Sequence, residues 1–397
     1  MEGVKIIGRI CEVIIGYNLV LPIFLFVLWK LRLNLFKETH FLGQQLAEAD
    51  FAVIVTAYEQ TDNLNAVVES IAATGYQNYL VYIVADKCDI SNLYFEDDKV
   101  VLLRPEQTIA SNTGSHQYAI DHFLRAHQVV TIVDSDNLLA PEYFDKTNLF
   151  LAKGYQAVQG LRAARNLDSE LSRLDAARDI YYHFYDGKVL HELGSSATLA
   201  GSGMTFHTNV YRDFLKKNQI TGAGFDKVLQ HFLLNQGHRI AFAEDAVVFD
   251  EKTSRKDQLV KQRARWINTW FKYFSLGFSL LFKGLTRLNW NQFLFGLILV
   301  RPPLFIFIIL SLLCASVELI SGHWLAVIIW IIAMMLFVAG FLIALSHSNT
   351  DQRIYRSLKN IPKFIYLQLL SLIKSRHANR HSVSTTHYYD AKDLPKR

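Results

Sequence analysis

Acidic residues follow three short apolar runs of this chain. The runs cover 51–55, 80–84 and 129–133, and they lead into Glu59, Asp86 and the tripeptide Asp134-Ser135-Asp136. Two carboxylates that lie two residues apart at the end of a strand can point in the same direction. Their oxygens suit Mg²⁺ or Mn²⁺, which would in turn bridge to a diphosphate ligand. The alternative interpretation is that these aspartates only form a turn.

The apolar runs themselves have the composition of buried strands. They are nearly continuous and rich in β-branched and aromatic residues, as in strands that are covered on both faces. Helical patterns separate them, and Asp62 is the predicted N-cap of the first helix. This alternation predicts a parallel α/β sheet, which binds ligands beyond the carboxyl ends of its strands. No GxGxxG follows a strand and no GxxxxGK[ST] occurs, which argues against a dinucleotide cofactor and a P-loop.

The composition indicates a membrane protein. The chain has 397 residues, of which 51% are apolar and only 19% charged. Runs at 13–29, 304–320 and 324–345 are each predicted to span a membrane. A signal peptide is the alternative for the first run, but no small-residue cleavage site follows it. The three cysteines form no disulfide framework or CxxC metal site. No nucleic-acid-binding motif is present, so no nucleic-acid partner is expected.

Basic residues predict the orientation. The net charge is +5, and the tail after residue 345 is basic. Lys30, Arg32 and Lys37 follow the first span, whereas Lys5 and Arg9 precede it and mildly disagree. Two C-terminal spans return the tail to the side of the central domain. We therefore expect an integral protein, in the plasma (inner) membrane, with its central domain in the cytosol.

Two segments are amphipathic rather than spanning. In the first, five apolar residues recur at helical spacing among lysines and arginines: Leu259, Trp266, Trp270, Phe274 and Phe278. A second pattern covers 361–373. Both are predicted to lie at the membrane interface and to contact lipids. The alternative is that each is a buried helix of the central domain.

The order of these motifs resembles that of a known family. Strand-end acids, the DxD of Asp134 and Asp136, a later Asp and Gln262-Arg263-Ala264-Arg265-Trp266 are similar to the D, DxD, D, QxxRW series. That series is found in processive family 2 glycosyltransferases such as cellulose, hyaluronan and poly-N-acetylglucosamine synthases. The resemblance runs from about Ala52 to Trp266. It implies an α/β fold of the glycosyltransferase A (GT-A, Rossmann-like) type with flanking transmembrane helices. It also implies inverting, metal-dependent transfer of a hexosyl or N-acetylhexosaminyl group from a nucleotide-sugar, with a UDP-sugar expected.

The resemblance assigns roles to individual residues. Asp134 and Asp136 would hold the Mg²⁺ or Mn²⁺ ion, and Asp134 would also contact the donor. The nucleoside of the donor would contact Ala57, Glu59 and Asp86. The donor-sugar and acceptor site would include Gln159, Gly201, Ser202 and Gly203. The pyrophosphate and the acceptor would contact Gln262, Arg265 and Trp266, because a guanidinium binds phosphate and an indole face accepts a sugar ring.

Asp226 is the expected general base. The family's base lies in a Thr-Glu-Asp motif that precedes a helix and then a Gly-aromatic-Arg-Ile-like turn. Here Gly237-His238-Arg239-Ile240 is that turn, so Asp226 occupies the place of the motif's aspartate. Asp245 is the second candidate, in a predicted surface turn after a strand at 240–243. An N-cap is the alternative role for Asp226. The chain departs from the pattern at Phe225, where the family has Glu, and at His116, near which related sequences often carry lysine.

The predicted organisation has five parts. They are an N-terminal transmembrane anchor (1–36), a cytosolic GT-A domain (37–256), an interfacial region with QxxRW (257–292), two transmembrane helices (293–346) and a basic cytosolic tail with an interfacial helix (347–397). The acceptor is expected to be a growing polysaccharide, with a single addition to a lipid-linked acceptor as the alternative. Export of a polymer through so few spans would require a partner or a homo-oligomer. A catalytically inactive scaffold or a transporter fits the motifs less well.

Overall fold

The computed structural model describes residues 2–35, 47–218, 220 and 222–378. The strands are β1 Phe51–Tyr58, β2 Tyr79–Asp86, β3 Val100–Leu103, β4 Val129–Asp134, β5 Leu138–Leu139, β6 Ala157–Ala164, β7 Met204–His207 and β8 Ile240–Asp250. The helices are α1 Glu2–Leu35, α2 Leu64–Ala72, α3 Asn112–Asp121, α4 Tyr143–Ala152, α5 Glu170–Tyr182, α6 Leu190–Glu192, α7 Thr208–Lys217, α8 Phe225–Asn235, α9 Lys256–Tyr273, α10 Leu276–Thr286, α11 Trp290–Val300, α12 Leu304–Ile320, α13 Trp324–His347, α14 Gln352–Ser357 and α15 Ile361–Lys374. A π-helical segment, His183–Val189, joins α5 to α6.

The central strand β1 is buried on both faces, as its continuous apolar run predicts. Phe51, Val53 and Val55 pack on one side with α2 and α4. Ala52 and Ile54 point to the other side and pack with α3, α7 and α8. Side chains alternate along a strand, so a strand that is apolar at every position needs a helical layer on each face.

The sheet is mixed, which corrects the expectation of a parallel sheet. The strand order is β3-β2-β1-β4-β7-β6-β8-β5. The first four of these strands are parallel, but β7 runs antiparallel to both β4 and β6, and β5 runs antiparallel to β8. Strands of two and four residues are too short to show a period in the sequence, so this reversal could not be predicted.

The start of α2 differs from its prediction. The capping position is Asn63, which is nearly helical and makes no side-chain capping bond, and Asp62 lies one residue earlier. Asp62 is therefore not the N-cap. Its side chain faces the cavity that is described below.

Two helices are long and apolar enough to cross a membrane among the residues that the structure describes. They cover Ile6–Arg32 within α1 and Trp324–His347, which is α13. The predicted span at 304–320 is α12, but α12 passes the same test only together with α11, from which it is bent by 74°. If the α11–α12 pair is one broken span, the described residues contain three spans. If the pair is a re-entrant loop, they contain two. The boundary at residue 36, Lys37 and the tail from 379 onward lie outside the described residues.

The membrane helices dock onto the π-helical segment and α6. The indole Nε1 of Trp29 in α1 donates to the Glu192 carboxylate at 2.5 Å. The Tyr185 hydroxyl donates to the carbonyl of Gly340 in α13 at 2.9 Å. Around these bonds, apolar residues of α1, the π-helical segment, α11, α12 and α13 form one cluster. The π-helical segment and the two apolar helices α1 and α13 therefore share a core.

The predicted interfacial region consists of two helices, α9 and α10. Leu259 and Val260 of α9 are buried against Phe364 and Leu367 of α15. The first turns of α9 are therefore buried, as is the face of α15 that carries Phe364 and Leu367. For these parts the alternative prediction, a buried helix, is correct. By contrast, Phe271, Phe278 and Phe282 are exposed, and their contact with lipid stays a prediction. The hairpin of α10 and α11 is tight, because a Cβ on Gly284 would lie 2.4 Å from the Phe293 backbone nitrogen.

Candidate active site

A cavity of about 640 Å³ lies at the carboxyl ends of β1, β4 and β8 and reaches the break between α11 and α12. The loop after β1, Asp134–Asp136, the start of α8 and the inner face of α9 line it. Gln262, Arg265 and Trp266 are also in its wall. The structure thus gathers into one space acidic and cationic residues that are far apart in the chain.

Asp134 and Asp136 are held at the end of β4 by hydrogen bonds. The amide of Asp134 donates to Ser202 Oγ at 3.0 Å, and Asn137 Nδ2 donates to an Asp136 oxygen at 3.0 Å. No group of three or more His, Cys, Asp or Glu residues is arranged around a metal in the described parts of the chain. Mg²⁺ commonly takes only one or two carboxylates and completes its shell with waters and substrate phosphates. The pair therefore fits a divalent cation that is shared with a diphosphate.

Gln159, Ser202 and Gly203 lie behind the cavity wall, and Gly201 is in it. The buried amide nitrogen of Gln159 donates to the carbonyls of Gly160, Ser202 and Gly203 at 2.9, 3.1 and 3.2 Å. Its oxygen accepts from the Ala200 amide at 2.8 Å. A Cβ on Gly203, which has φ +65°, would lie 2.7 Å from Val248 Cγ2. These residues shape the loop that holds Asp134.

The residues predicted to contact the nucleoside are not in the cavity wall. Asp86 is buried and accepts from the amides of Ile109 and Ala110 at 3.0 and 2.6 Å. Glu59 forms an ion pair with Lys87 at 2.7 Å, and Ala57 is buried. Their neighbours line this end of the cavity instead: Thr56, Tyr58, Gln60, Asp62, Asn63, Ser111 and Asn112. Asp86 thus positions the loop before α3 rather than facing the open space.

Asp226 lies in the first turn of α8, and its side chain is in the cavity wall. Lys227 Nζ is 3.4 Å from its carboxylate. The N-cap of α8 is Gly224, at φ +100°, so the alternative N-cap role for Asp226 is wrong. A Cβ at Gly224 would lie 2.5 Å from Thr269 Cγ2, because α9 packs directly on the start of α8.

Asp245 is exposed and is not in the cavity wall. The expected turn after residue 243 does not exist, because β8 continues to Asp250. In the pairing of β8 with β6, Gly160 lies opposite Ala243 but Leu161 lies opposite Val247. The residues 244–246 of β8 therefore form a bulge, and Asp245 lies in it. Glu244 in this bulge forms an ion pair with Lys188 at 2.5 Å.

The side chains of the QxxRW segment line the cavity but differ in how deeply they are buried. Gln262 accepts from the Thr253 hydroxyl at 3.1 Å, and Gln262, Arg265 and Trp266 face the cavity. Arg263 is only 2% exposed and forms an ion pair with Asp175 of α5. The guanidinium groups of Arg263 and Arg178 lie 3.9 and 4.6 Å from the Trp266 ring centroid. Two cations therefore fix the orientation of this ring.

A buried network of charges next to the DxD was not predicted. Asp250 is paired with Arg162 and, at 2.5 Å, with Lys252. Lys252 also contacts Asp179 at 2.5 Å, and Arg178 pairs with Asp179. Burial acts to raise the pKa of Asp179, but the Arg178 and Lys252 charges outweigh it and hold that pKa below its usual range. The members come from β6, α5, β8 and the loop after β8, so no spacing in the sequence could signal them.

His116 is a core residue rather than a phosphate ligand. Its Nδ1 is 2.6 Å from the Tyr211 hydroxyl, and its ring packs edge-on against Phe225 with centroids 5.4 Å apart. Burial lowers the pKa of His116 to about 3. The two positions at which the chain departs from the family pattern, His116 and Phe225, are therefore in contact.

The buried state of His116 predicts a pH-dependent stability. The unfolded chain binds this proton below about pH 6.5, whereas the folded chain keeps the ring neutral until about pH 3. The contribution of the neutral His116 ring to folding stability is therefore fully present above pH 6.5 and is lost as the pH falls toward 3. We expect the thermal midpoint to fall less between pH 7.5 and 5 in His116→Gln than in the wild type. The other buried histidines, His183 and His191 with pKa values of about 4 and 3, remain in both proteins, so a difference between the proteins reports on His116. An equal fall of the thermal midpoint in the wild type and in His116→Gln would contradict this prediction.

The deep end of the cavity lies at the membrane helices. Arg301, in the break between α11 and α12, forms a buried ion pair with Asp186 of the π-helical segment. Pro302 and Pro303 and the α11 residues Phe295, Ile298 and Leu299 complete the wall there. The cavity thus extends from the DxD to Pro303, directly before α12.

Comparison with known proteins agrees with this fold. Residues 48–269 match the family model described as glycosyltransferase like family 2. The chain is similar in structure to the mannosyltransferase PcManGT from Pyrobaculum calidifontis, solved with GDP-Man and Mn²⁺, at 12% identity and a TM-score of 0.54, over 93% of this chain and 97% of that one. It also matches TarS (1–349) from S. aureus, solved with UDP-GlcNAc, at 14% identity and a TM-score of 0.43, over 83% and 90% of the two chains. No curated protein matches it.

The mixed sheet covered by helices on both faces is the α/β GT-A architecture that the motif series implied. The family model covers more than half of the 397 residues. The chain therefore belongs to the glycosyltransferase-like family 2, and it is a glycosyltransferase.

Proposed function

We propose that the protein transfers a sugar from a nucleotide-sugar, with inversion, to a polysaccharide or other membrane-associated acceptor at the cytosolic face of the membrane. One observation carries this proposal: Asp134, Asp136, Asp226 and the QxxRW side chains line the same cavity. A UDP-sugar remains the expected donor. PcManGT was solved with GDP-Man and Mn²⁺, so GDP-sugars belong in any test and Mn²⁺ is a suitable first cation.

The chemistry divides between two groups of residues in the cavity wall. Asp226 accepts the proton of the acceptor hydroxyl as that oxygen attacks the anomeric carbon. Arg265 binds the departing diphosphate, while Asp134 and Asp136 bind the cation. That cation, when bound, supplies positive charge that stabilises the leaving group. A single displacement with the base opposite the leaving group inverts the anomeric centre.

The acceptor has two candidates. QxxRW favours the extension of a polymer. A single addition to a lipid-linked acceptor is favoured by the two or three spans and by the cavity's contact with Arg301–Pro303 at the start of α12. The two or three spans among the described residues are few for a polymer channel, so export of a polymer would require a homo-oligomer or an export partner.

The test uses the full chain, purified with its lipids in a detergent that has no sugar headgroup. Nucleoside diphosphate release is measured over a panel of UDP- and GDP-sugars, with Mn²⁺, with Mg²⁺ and with chelator, and the labelled product is analysed. Metal-dependent release from one donor supports the proposal, and the product separates polymer from glycolipid. Absence of release from every donor would overturn it in favour of an inactive scaffold.

Asp136→Asn is expected to weaken the use of Mn²⁺. Loss of even an outer-shell partner of a metal costs about 10- to 100-fold in affinity, so loss of a direct ligand should raise the half-saturating Mn²⁺ concentration at least as much. The measurement is donor turnover against Mn²⁺ concentration. Asp213→Asn, an exposed carboxylate paired with Lys217, is the matched control. An unchanged Mn²⁺ requirement in Asp136→Asn would remove Asp136 from the metal site.

A further inference from the structure

Beyond Asp226, the cavity continues along residues that the motif series does not include. Gln230 is one helical turn after Asp226 on α8, and its Nε2 donates to the Asp226 carbonyl at 3.0 Å. Asp186 of the π-helical segment is close enough to Lys227 for that cation to attract its carboxylate. Trp270 of α9 is in the same wall. These residues therefore line the same cavity as Asp226, to which the proposed reaction brings the acceptor.

Each of the three carries a polar atom without a hydrogen-bond partner in the protein. They are Asp186 Oδ1, Gln230 Oε1 and Trp270 Nε1. Asp186 is 3% exposed and Gln230 is fully buried. Arg301 occupies only the other oxygen of Asp186. Other residues of the same wall also carry such atoms, among them Arg162, Arg178 and Arg263. Most buried polar groups of a folded protein have partners, so unpartnered atoms in a cavity wall are candidates for contact with a ligand.

The types of these atoms restrict the ligand. Asp186 Oδ1 and Gln230 Oε1 are acceptors and require donors, whereas the indole N–H of Trp270 requires an acceptor. A hydroxyl can do both. A phosphate at neutral pH offers mainly acceptors and would be repelled by the Asp186 carboxylate, and a hydrocarbon chain offers neither. The apolar wall of Phe295, Ile298 and Leu299 suits the C–H face of a sugar ring.

We propose that Asp186, Gln230 and Trp270 form a hydroxyl-binding subsite that selects a sugar, rather than a bare lipid phosphate, as the acceptor. The subsite rests on the proposed transferase activity and adds its acceptor specificity. The terminal sugar of the acceptor lies in it, with one hydroxyl directed to Asp226. The rest of the acceptor leaves past Arg301 and Pro302, where α12 begins.

The test compares two acceptor probes with the full chain in a detergent without a sugar headgroup. One probe is the octyl glycoside of the sugar that the active donor carries, and the other is farnesyl phosphate. We expect the octyl glycoside alone to stimulate nucleoside diphosphate release. In Gln230→Met and Trp270→Phe, its KM should rise by about tenfold or more, while the donor KM changes by less than about twofold.

Two controls keep the result interpretable. Gln236→Met makes the same change at an exposed position of the C-terminal end of α8, and it should keep the wild-type acceptor KM. Asp186→Asn adds a third variant, and thermal unfolding separates loss of the Arg301 pair from loss of acceptor binding. Stimulation by farnesyl phosphate alone, no stimulation by the glycoside, or an unchanged acceptor KM in Gln230→Met and Trp270→Phe would overturn the subsite. In each case, transfer of the labelled donor sugar to the co-purified lipids or to a polymer would leave the proposed transferase activity standing.

Discussion

Asp226→Asn is expected to lower sugar transfer by about 10²- to 10⁴-fold, the usual contribution of a general base. The asparagine keeps the size of the side chain but cannot accept the proton of the acceptor hydroxyl. Donor binding should remain, because the DxD and Arg265 are unchanged. The measurement is initial transfer rate at saturating donor and Mn²⁺, together with the donor KM. Only the rate should change.

Asp245→Asn is the matched control, since Asp245 lies exposed in the bulge of β8. It should transfer at the wild-type rate. An active Asp226→Asn together with an inactive Asp245→Asn would reverse the assignment. Activity in both would move the base to another cavity carboxylate, and Asp250 would be examined next because its side chain is in the wall.

Arg263→Met is expected to cost up to about 3–5 kcal/mol of folding stability, because the buried carboxylate of Asp175 then keeps only the more distant Arg178, at 3.5 Å. For a domain of this size the thermal midpoint should fall by roughly 2–4 °C per kcal/mol. The measurement is thermal unfolding in detergent. The neighbouring Arg265 is half-buried in the cavity wall, so Arg265→Met should mainly reduce donor turnover.

The double variant Arg263→Met/Asp175→Leu separates pairing from packing. Removing both charges restores an apolar contact, so most of the lost stability should return. Lys217→Met breaks the exposed pair with Asp213, and it should leave the midpoint nearly unchanged. A midpoint of Arg263→Met equal to that of Lys217→Met would show that the Arg263–Asp175 pair does not stabilise the fold.

The local patterns of the sequence predicted the strands and the motifs, because those signals lie within short segments. The apolar runs of β1, β2 and β4 and the DxD that follows β4 are read directly from neighbouring residues. The arrangement of β7 could not be predicted, since its direction is set by contacts with β4 and β6, far away in the chain.

The site was predicted in part for the same reason. Asp134, Asp136, Asp226 and the QxxRW residues were named from a linear order of motifs, and all of them line the cavity. Whether Asp86 faces the cavity or the loop before α3 depends on the fold of that loop, which no motif encodes. The network of Arg162, Asp179 and Asp250 joins three separate elements. Such a network becomes visible only when the chain is folded.

The contact between His116 and Phe225 makes these two positions mutationally dependent. A lysine at 116 alone would bury a cation against the Phe225 ring, and a glutamate at 225 alone would place a carboxylate beside a neutral imidazole. Each of these single exchanges to a charged residue should therefore give a less stable protein, whereas the double exchange would allow the two charges to pair. We therefore expect the residues at positions 116 and 225 to covary among related chains. A chain that differs at one of these positions should also differ at the other.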